Sequence, residues 1–192
     1  MSASAGANEP RLVLASVSPQ RRAILGQLGV AFDVVEPDVE ELTGGDPAEL
    51  VVENARRKAR AVTGERVLAA DTAVVLDGRP LGKPADAEEA RAFLESLSGR
   101  DHEVLSGVVV REDGSEHAGL GAARVRFRRL APADVDRYVA TGEWRGRAGG
   151  YAIQGRGAAL VEEIQGDYWA VVGLPVAEIA RLAPHLLGLE PG

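Results

Sequence analysis

The stretch Val67–Pro84 constrains this chain most: Val-Leu-Ala-Ala-Asp-Thr-Ala-Val-Val-Leu-Asp-Gly-Arg-Pro-Leu-Gly-Lys-Pro. Val67–Ala70 is an apolar run long enough for one buried strand. It ends in Asp71. A carboxylate following such a run must be solvated, paired or metal-bound, because burying it alone is too costly. The apolar run resumes at Ala73–Leu76, and Asp77-Gly78 predicts a hairpin turn. Lys83, between Gly82 and Pro84, falls in a tight loop after the return strand. Two readings of this stretch stand. In one, an acid and an amine meet at the end of a sheet. In the other, Asp71 is a local cap and Lys83 is solvated.

The charge content narrows the choice. Of 22 Lys plus Arg, only Lys58 and Lys83 are lysine. Guanidinium can replace a surface ammonium at little cost but cannot replace a compact point charge in a site. The two lysines are therefore the cations to follow. A net charge of −7 argues against bulk affinity for nucleic acid or an anionic membrane. The chain has no Cys, which excludes disulfides and thiolate metal sites. Its three His are far apart and lack metal-ligand spacing. No apolar run reaches the ~18 residues of a membrane span. Met1–Pro10 is small and polar, which predicts a disordered leader and not a signal peptide. The remainder, 11–192, reads as one domain of a soluble cytoplasmic protein.

Leu12–Ala15 predicts a strand. Ser18 and Pro19 then suit the N-cap and first position of a helix running to about Leu28. Arg21 and Arg22 fall in its first turn, where the helix dipole disfavours cations. Either an anion binds there beside Ser16 and Ser18, or both arginines point into solvent. Phe32–Val35 predicts a second strand. The acidic loop Glu36–Asp46, with Asp38, Glu40 and Glu41, either faces water or offers carboxylates to Mg²⁺. A helix from Pro47 to about Val62 places Lys58 in the apolar stripe of Val51, Ala55 and Val62, with Arg56, Arg57 and Arg60 opposite. Lys58 thus either points toward the core or snorkels from the stripe edge.

Further on, Asp86 caps a helix, His102–Arg111 and Ala122–Arg128 predict strands, and Pro132–Thr141 predicts a short helix. His102 reads as structural, having no acid–base partner nearby in sequence. Glu143–Gly157 holds five glycines, which let backbone approach a ligand or make a mobile loop. Gln154 there offers an amide for a base edge, or one satisfied by backbone. Trp144 suits stacking or packing. Ala158–Glu163 and Tyr168–Val172 predict a hairpin, and Val176–Leu187 a last helix. Helices alternate with strands first and hairpins follow, so the fold class is α/β with a mixed central sheet and flanking helices.

Seven short motifs occur in order: Ala-Ser-Val-Ser-Pro-Gln-Arg-Arg from Ala15, Asn-Ala-Arg-Arg-Lys-Ala from Asn54, Ala-Asp-Thr-Ala-Val from Ala70, Gly-Lys-Pro from Gly82, Leu-Ser-Gly-Arg-Asp-His-Glu-Val from Leu97, Ala-Gly-Gly-Tyr-Ala-Ile-Gln-Gly from Ala148 and Val-Val-Gly-Leu-Pro from Val171. Together they resemble the Maf family of septum-formation-associated nucleoside triphosphate pyrophosphatases, over about Leu12 to Leu187. The resemblance implies an elongated, two-lobed Maf/inosine-triphosphatase-like fold with a cleft. It implies hydrolysis of a nucleoside triphosphate to monophosphate and pyrophosphate with a divalent metal cation, Mg²⁺ or Mn²⁺. It further implies a role in nucleotide house-cleaning and cell-division arrest, and a homodimer. By the same resemblance Asp71 is the catalytic acid/base and a metal ligand with Glu41. Ser16, Arg21, Lys58, Lys83 and Gln154 are the substrate contacts. The Tyr-Ala-Ile-Gln-Gly run is closer to the dTTP/UTP branch than to the 7-methyl-GTP branch. Gln20, Arg147, Ser106 and Ala123 depart from the residues many members carry. The competing readings are a non-catalytic nucleotide-binding regulator of cell division and a general phosphatase releasing orthophosphate.

Overall fold

The computed structural model describes residues 11–190, so the leader expected at Met1–Pro10 and the terminal residues 191–192 lie outside the described residues. The chain opens with β1 (Leu12–Ala15), α1 (Pro19–Gln27), β2 (Phe32–Val35) and α2 (Pro47–Ala61). It continues through β3 (Arg66–Leu76), β4 (Arg79–Leu81), α3 (Ala87–Leu97), β5 (Asp101–Glu112) and β6 (Ser115–Phe127). It closes with α4 (Pro132–Ala140), β7 (Val161–Gly166), α5 (Tyr168–Val172) and α6 (Val176–Leu182). The strands form a mixed sheet in the order β2-β1-β3-β5-β6-β7, with β4 also paired to β3. β1 runs parallel to β2 and β3, and the other pairings are antiparallel. Among the described residues no helix is long and apolar enough to cross a membrane.

β3 is the axis of the molecule. Asp71 does not end a strand, as the sequence suggested, but lies in the middle of one. The strand continues because β5 pairs with it along its length, from Arg66 opposite Glu112 to Val75 opposite Glu103. On the other edge the pairing is broken. β1 pairs only with Arg66–Leu68 and β4 only with Val74–Leu76, so the edge from Ala69 to Ala73 has no strand partner there among the described residues. Separate apolar cores lie toward the two ends of β3 and β5. Leu68, Ala70, Val108 and Val110 pack with α1 and α6 residues at one end. Val74, Leu76 and Val104 pack with residues of α3, α4 and β6 at the other. Asp71 and Thr72 sit at the seam, on opposite faces of the sheet because side chains alternate along a strand.

The face bearing Asp71 is covered by α2, whose Ala55, Ala59 and following Val62 pack on Val67, Ala69 and Val109. Asp46 caps this helix, accepting from the N–H groups of Ala48 and Glu49. The helix comes down onto β5 at Gly107, the residue opposite Asp71. A Cβ at Gly107 would lie 2.4 Å from the carbonyl oxygen of Val51 and 2.5 Å from its carbon. Backbone cannot yield as a flexible side chain can. Gly107→Ala is therefore expected to push α2 off the sheet and lower Tm by about 4–12 °C, as overpacking of about 2–3 kcal/mol would. An unchanged melting curve would show that the helix has slack here.

Several expectations need correction. Tyr168–Val172 is helical, not the second arm of a hairpin; Asp167 caps it by accepting from the N–H groups of Trp169 and Ala170. β7 pairs instead with β6. The last helix is interrupted: α6 ends at Leu182 and a separate 3-10 turn covers Pro184–Leu187, since Pro184 cannot continue an α-helix. β6 begins at Ser115, well before Ala122. Its turn, Asp113-Gly114, has positive φ at both residues (49° and 74°), as a tight hairpin requires. Asp77-Gly78 does the same at 51° and 75°. Side chains alternate along the end of β6, with Ala123, Val125 and Phe127 buried and Arg124 and Arg126 exposed.

Candidate functional site

The open edge of β3 is the floor of a cleft of about 480 Å³. Ser16, Arg21, Glu41, Lys58, Asp71, Lys83 and Gln154, the seven residues singled out in the sequence, all border it. They arrive from six separate segments.

The turn after β1 supplies Ser16, and the first turn of α1 supplies Arg21. Ser18 is the N-cap of α1, but its side chain makes no capping hydrogen bond, and the first turn holds no acidic residue. The Ser18 hydroxyl instead donates to Gln20 Oε1 at 3.2 Å. This helix N-terminus therefore keeps its positive end unneutralised at the cleft. Arg21 does not point into solvent. It is 9% exposed and donates from Nε to the Gly173 carbonyl (2.8 Å), from Nη1 to Ser16 Oγ (3.0 Å) and from Nη2 to Thr72 Oγ1 (3.2 Å). Ser106 Oγ donates to the Ala170 carbonyl at 2.7 Å, so at its 2.7 Å contact with Thr72 it accepts. A chain of hydroxyls thus fixes the arginine against the face of β3 opposite α2. Burial lowers the Arg21 pKa, and the charges of Asp71 and Glu41 oppose that effect. Arg22 is exposed and does not border the cleft.

On the other face stands Lys58. It points inward instead of snorkelling: its side chain is 9% exposed, and Nζ lies 2.6 Å from both Glu41 Oε1 and Asp71 Oδ1. The second Asp71 oxygen accepts from Asn54 Nδ2 at 3.2 Å. One ammonium thus joins a strand carboxylate to a loop carboxylate. Burial pulls Glu41 toward its neutral form. The hydrogen bond from Lys58 and the charges of Lys58, Lys83 and Arg21 outweigh it and hold the carboxyl below its ordinary 4.5.

The third side is built by the loop after β4 and the glycine-rich segment. The Gly149 N–H donates to the Gly82 carbonyl at 3.0 Å, bringing 147–154 beside Lys83. Gly149 has φ 66°, and a Cβ there would lie 2.9 Å from Val74, so glycine is required twice over. Gln154 is exposed at the cleft, and its amide has no hydrogen-bond partner among the described residues, which disposes of the backbone-satisfied alternative. Trp144 is a packing residue, buried, with Nε1 donating to the Val139 carbonyl at 3.0 Å. His102 is structural as expected: Nε2 lies 2.8 Å from the Tyr151 hydroxyl, and burial lowers its pKa to about 4. Arg147, a departure in sequence, borders the cleft with its Nε buried and unpartnered.

The sequence reading missed two residues of this arrangement. Thr72 follows Asp71 and could have been flagged by strand alternation, which puts it on the other face. Asn54 opens one of the seven motifs and falls in the same helical stripe as Val51 and Lys58, but nothing local in sequence names Leu42 and Asp71 as its partners.

The family model described as Maf-like protein matches residues 11–186. A protein of Anaeromyxobacter dehalogenans named dTTP/UTP pyrophosphatase is 56% identical over 179 residues, covering 90% of this chain and 92% of that one. A protein of Methylococcus capsulatus with the same name is 48% identical over 187 residues, covering 94% and 93%. One from Deinococcus radiodurans, also so named, is 46% identical over 178 residues, covering 90% and 91%.

Proposed function

This chain belongs to the Maf family, and from that membership we propose that it hydrolyses pyrimidine nucleoside triphosphates of the dTTP and UTP class to the monophosphate and pyrophosphate. The names of its relatives support the substrate class. The observation that carries the reaction class is the division of charge in the cleft. An open helix N-terminus, Arg21 and Lys83 offer positive charge for a polyphosphate, while Asp71 and Glu41 offer paired carboxylates beside it.

In this reading the Ser16–Arg21 turn and Lys83 hold the triphosphate. Water attacks the α-phosphorus, its oxygen forms the new P–O bond, and the bond to the bridging oxygen of the β-phosphate breaks. Asp71 takes the proton of the attacking water. Pyrophosphate leaves with the bonding electrons, its charge met by the surrounding cations. Two carboxylates bordering one cleft, with phosphate oxygens completing the set, are a donor arrangement suited to Mg²⁺ or Mn²⁺. Glu41 and Asp71 would hold the ion, which would supply further neutralisation of the phosphates. Lys58 sets the spacing of those carboxylates. Gln154, with its unengaged amide, reads the base.

Product analysis with dTTP, UTP, CTP, GTP and 7-methyl-GTP tests this. Monophosphate and pyrophosphate in equal amounts are expected. Orthophosphate would favour a phosphatase, and binding without hydrolysis a regulator. Gln154→Ala is expected to compress the ranking between bases by about 10-fold, the loss of roughly one hydrogen bond, while the products stay the same. An unchanged ranking in a substrate-competition assay would remove Gln154 from base reading.

A further inference from the structure

α2 does more than carry Lys58. Asn54 and Lys58 from its buried stripe, and Arg57 from its exposed flank, engage three consecutive residues of the acidic loop. Arg57 Nη1 donates to the Glu40 carbonyl at 2.9 Å, Lys58 meets Glu41 and Asn54 holds Leu42. The asparagine contact is the most constrained. Asn54 is 3% exposed. Its Oδ1 accepts from the Leu42 N–H at 2.8 Å, and its Nδ2 donates both to the Leu42 carbonyl (3.1 Å) and to Asp71 Oδ2 (3.2 Å). Both N–H donors and the carbonyl oxygen are used. The flipped amide would set N–H₂ against the Leu42 N–H and oxygen against the Asp71 carboxylate, so only one orientation is compatible with its neighbours.

Leu42 follows Glu41 directly. A clamp on its backbone fixes the point from which the Glu41 side chain reaches Lys58. The same amide fixes the Asp71 oxygen that Lys58 does not touch. We propose that Asn54 is a positioning residue that ties the loop carrying Glu41 to Asp71, so that the two carboxylates face the cleft as one rigid unit. Its catalytic consequence rests on the reaction proposed above; the clamp itself does not.

The test has two arms. Amide hydrogen exchange without ligand reads the clamp: Asn54→Ala should speed exchange in Glu40–Leu42, and unchanged protection overturns the proposal. Kinetics read the positioning. Asn54→Ala should lower kcat by about 10- to 100-fold, as loss of a supporting hydrogen-bond partner does, with KM little changed because Asn54 does not border the cleft. In a double-mutant cycle with Glu41→Gln, the second substitution should cost little beyond the first; additive losses overturn action through Glu41. Asn54→Leu keeps the branched shape and removes donors and acceptor alike, without setting a second carboxylate against Asp71. It guards against a folding failure of the alanine variant and should lose kcat as well, while normal kcat overturns the proposal. If the wild type releases no pyrophosphate, the reaction reading fails, and the exchange arm still decides the clamp.

Discussion

Asp71→Asn lowers kcat by about a thousandfold or more and leaves the protein folded. The substitution changes no volume. In the proposed reaction it removes the group that takes the proton, an effect of about 10²–10⁴ alone, and half of the carboxylate pair beside the phosphates. Folding survives because Lys58 keeps Glu41, 2.6 Å from its Nζ. One side-chain nitrogen would face either Lys58 Nζ or Asn54 Nδ2, both donors, at a cost of about 1–3 kcal/mol. That is small against a typical stability of about 5–15 kcal/mol. Pyrophosphate release and a thermal melt, run together, separate the two effects. Near-normal turnover would remove Asp71 from the chemistry.

Lys58→Met carries the largest stability penalty. Methionine matches the aliphatic stem but leaves Asp71 and Glu41, each 2.6 Å from the present ammonium, without a counter-charge. Stripping one partner from a buried pair costs about 3–5 kcal/mol. The lower end applies, since Glu41 is 42% exposed and partly screened. A loss of about 3 kcal/mol lowers Tm by about 6–12 °C at this chain length. The penalty depends on pH with a definite sign. Glu41 titrates below its ordinary 4.5 in the folded protein, so its contribution is present above that value and disappears as pH falls through the folded one. The variant, relieved of carboxylate repulsion by the same protonation, should approach the wild type in acid. A Tm gap constant on both sides of pH 4.5 would mean that the pair does not couple to folding.

Much of the cleft was legible because its parts carry local anomalies. A lysine in an apolar stripe, arginines at the wrong end of a helix and an aspartate inside a β-run each conflict with their immediate surroundings, and such conflicts mark sites. The mixed sheet followed from the alternation of patterns. What failed was whatever depends on distant partners. Asp71 looked like a strand end because the continuation of β3 is secured by β5, some 30 residues on. Tyr168–Val172 has strand-forming residues, and a single cap at Asp167 with packing around Gly121 and Pro175 makes it helical. Asn54 shares the stripe of Lys58, but its partners Leu42 and Asp71 are set only by the tertiary fold. Arg21 was poised between anion and solvent, and neither alternative foresaw acceptors from Gly173 and Thr72.

The scarcity of lysine also turns the protein into its own probe. Lys58 and Lys83, the two lysines of the sequence, both border the cleft, one buried and one exposed. An acylating reagent would therefore find no lysine on the outer surface, which is charged positively through arginine. It would reach Lys83 first and Lys58 only as the Glu41 loop opens. The extent and order of modification at two masses would then report occupancy of the cleft and the breathing of its loop, with no engineered label in the chain.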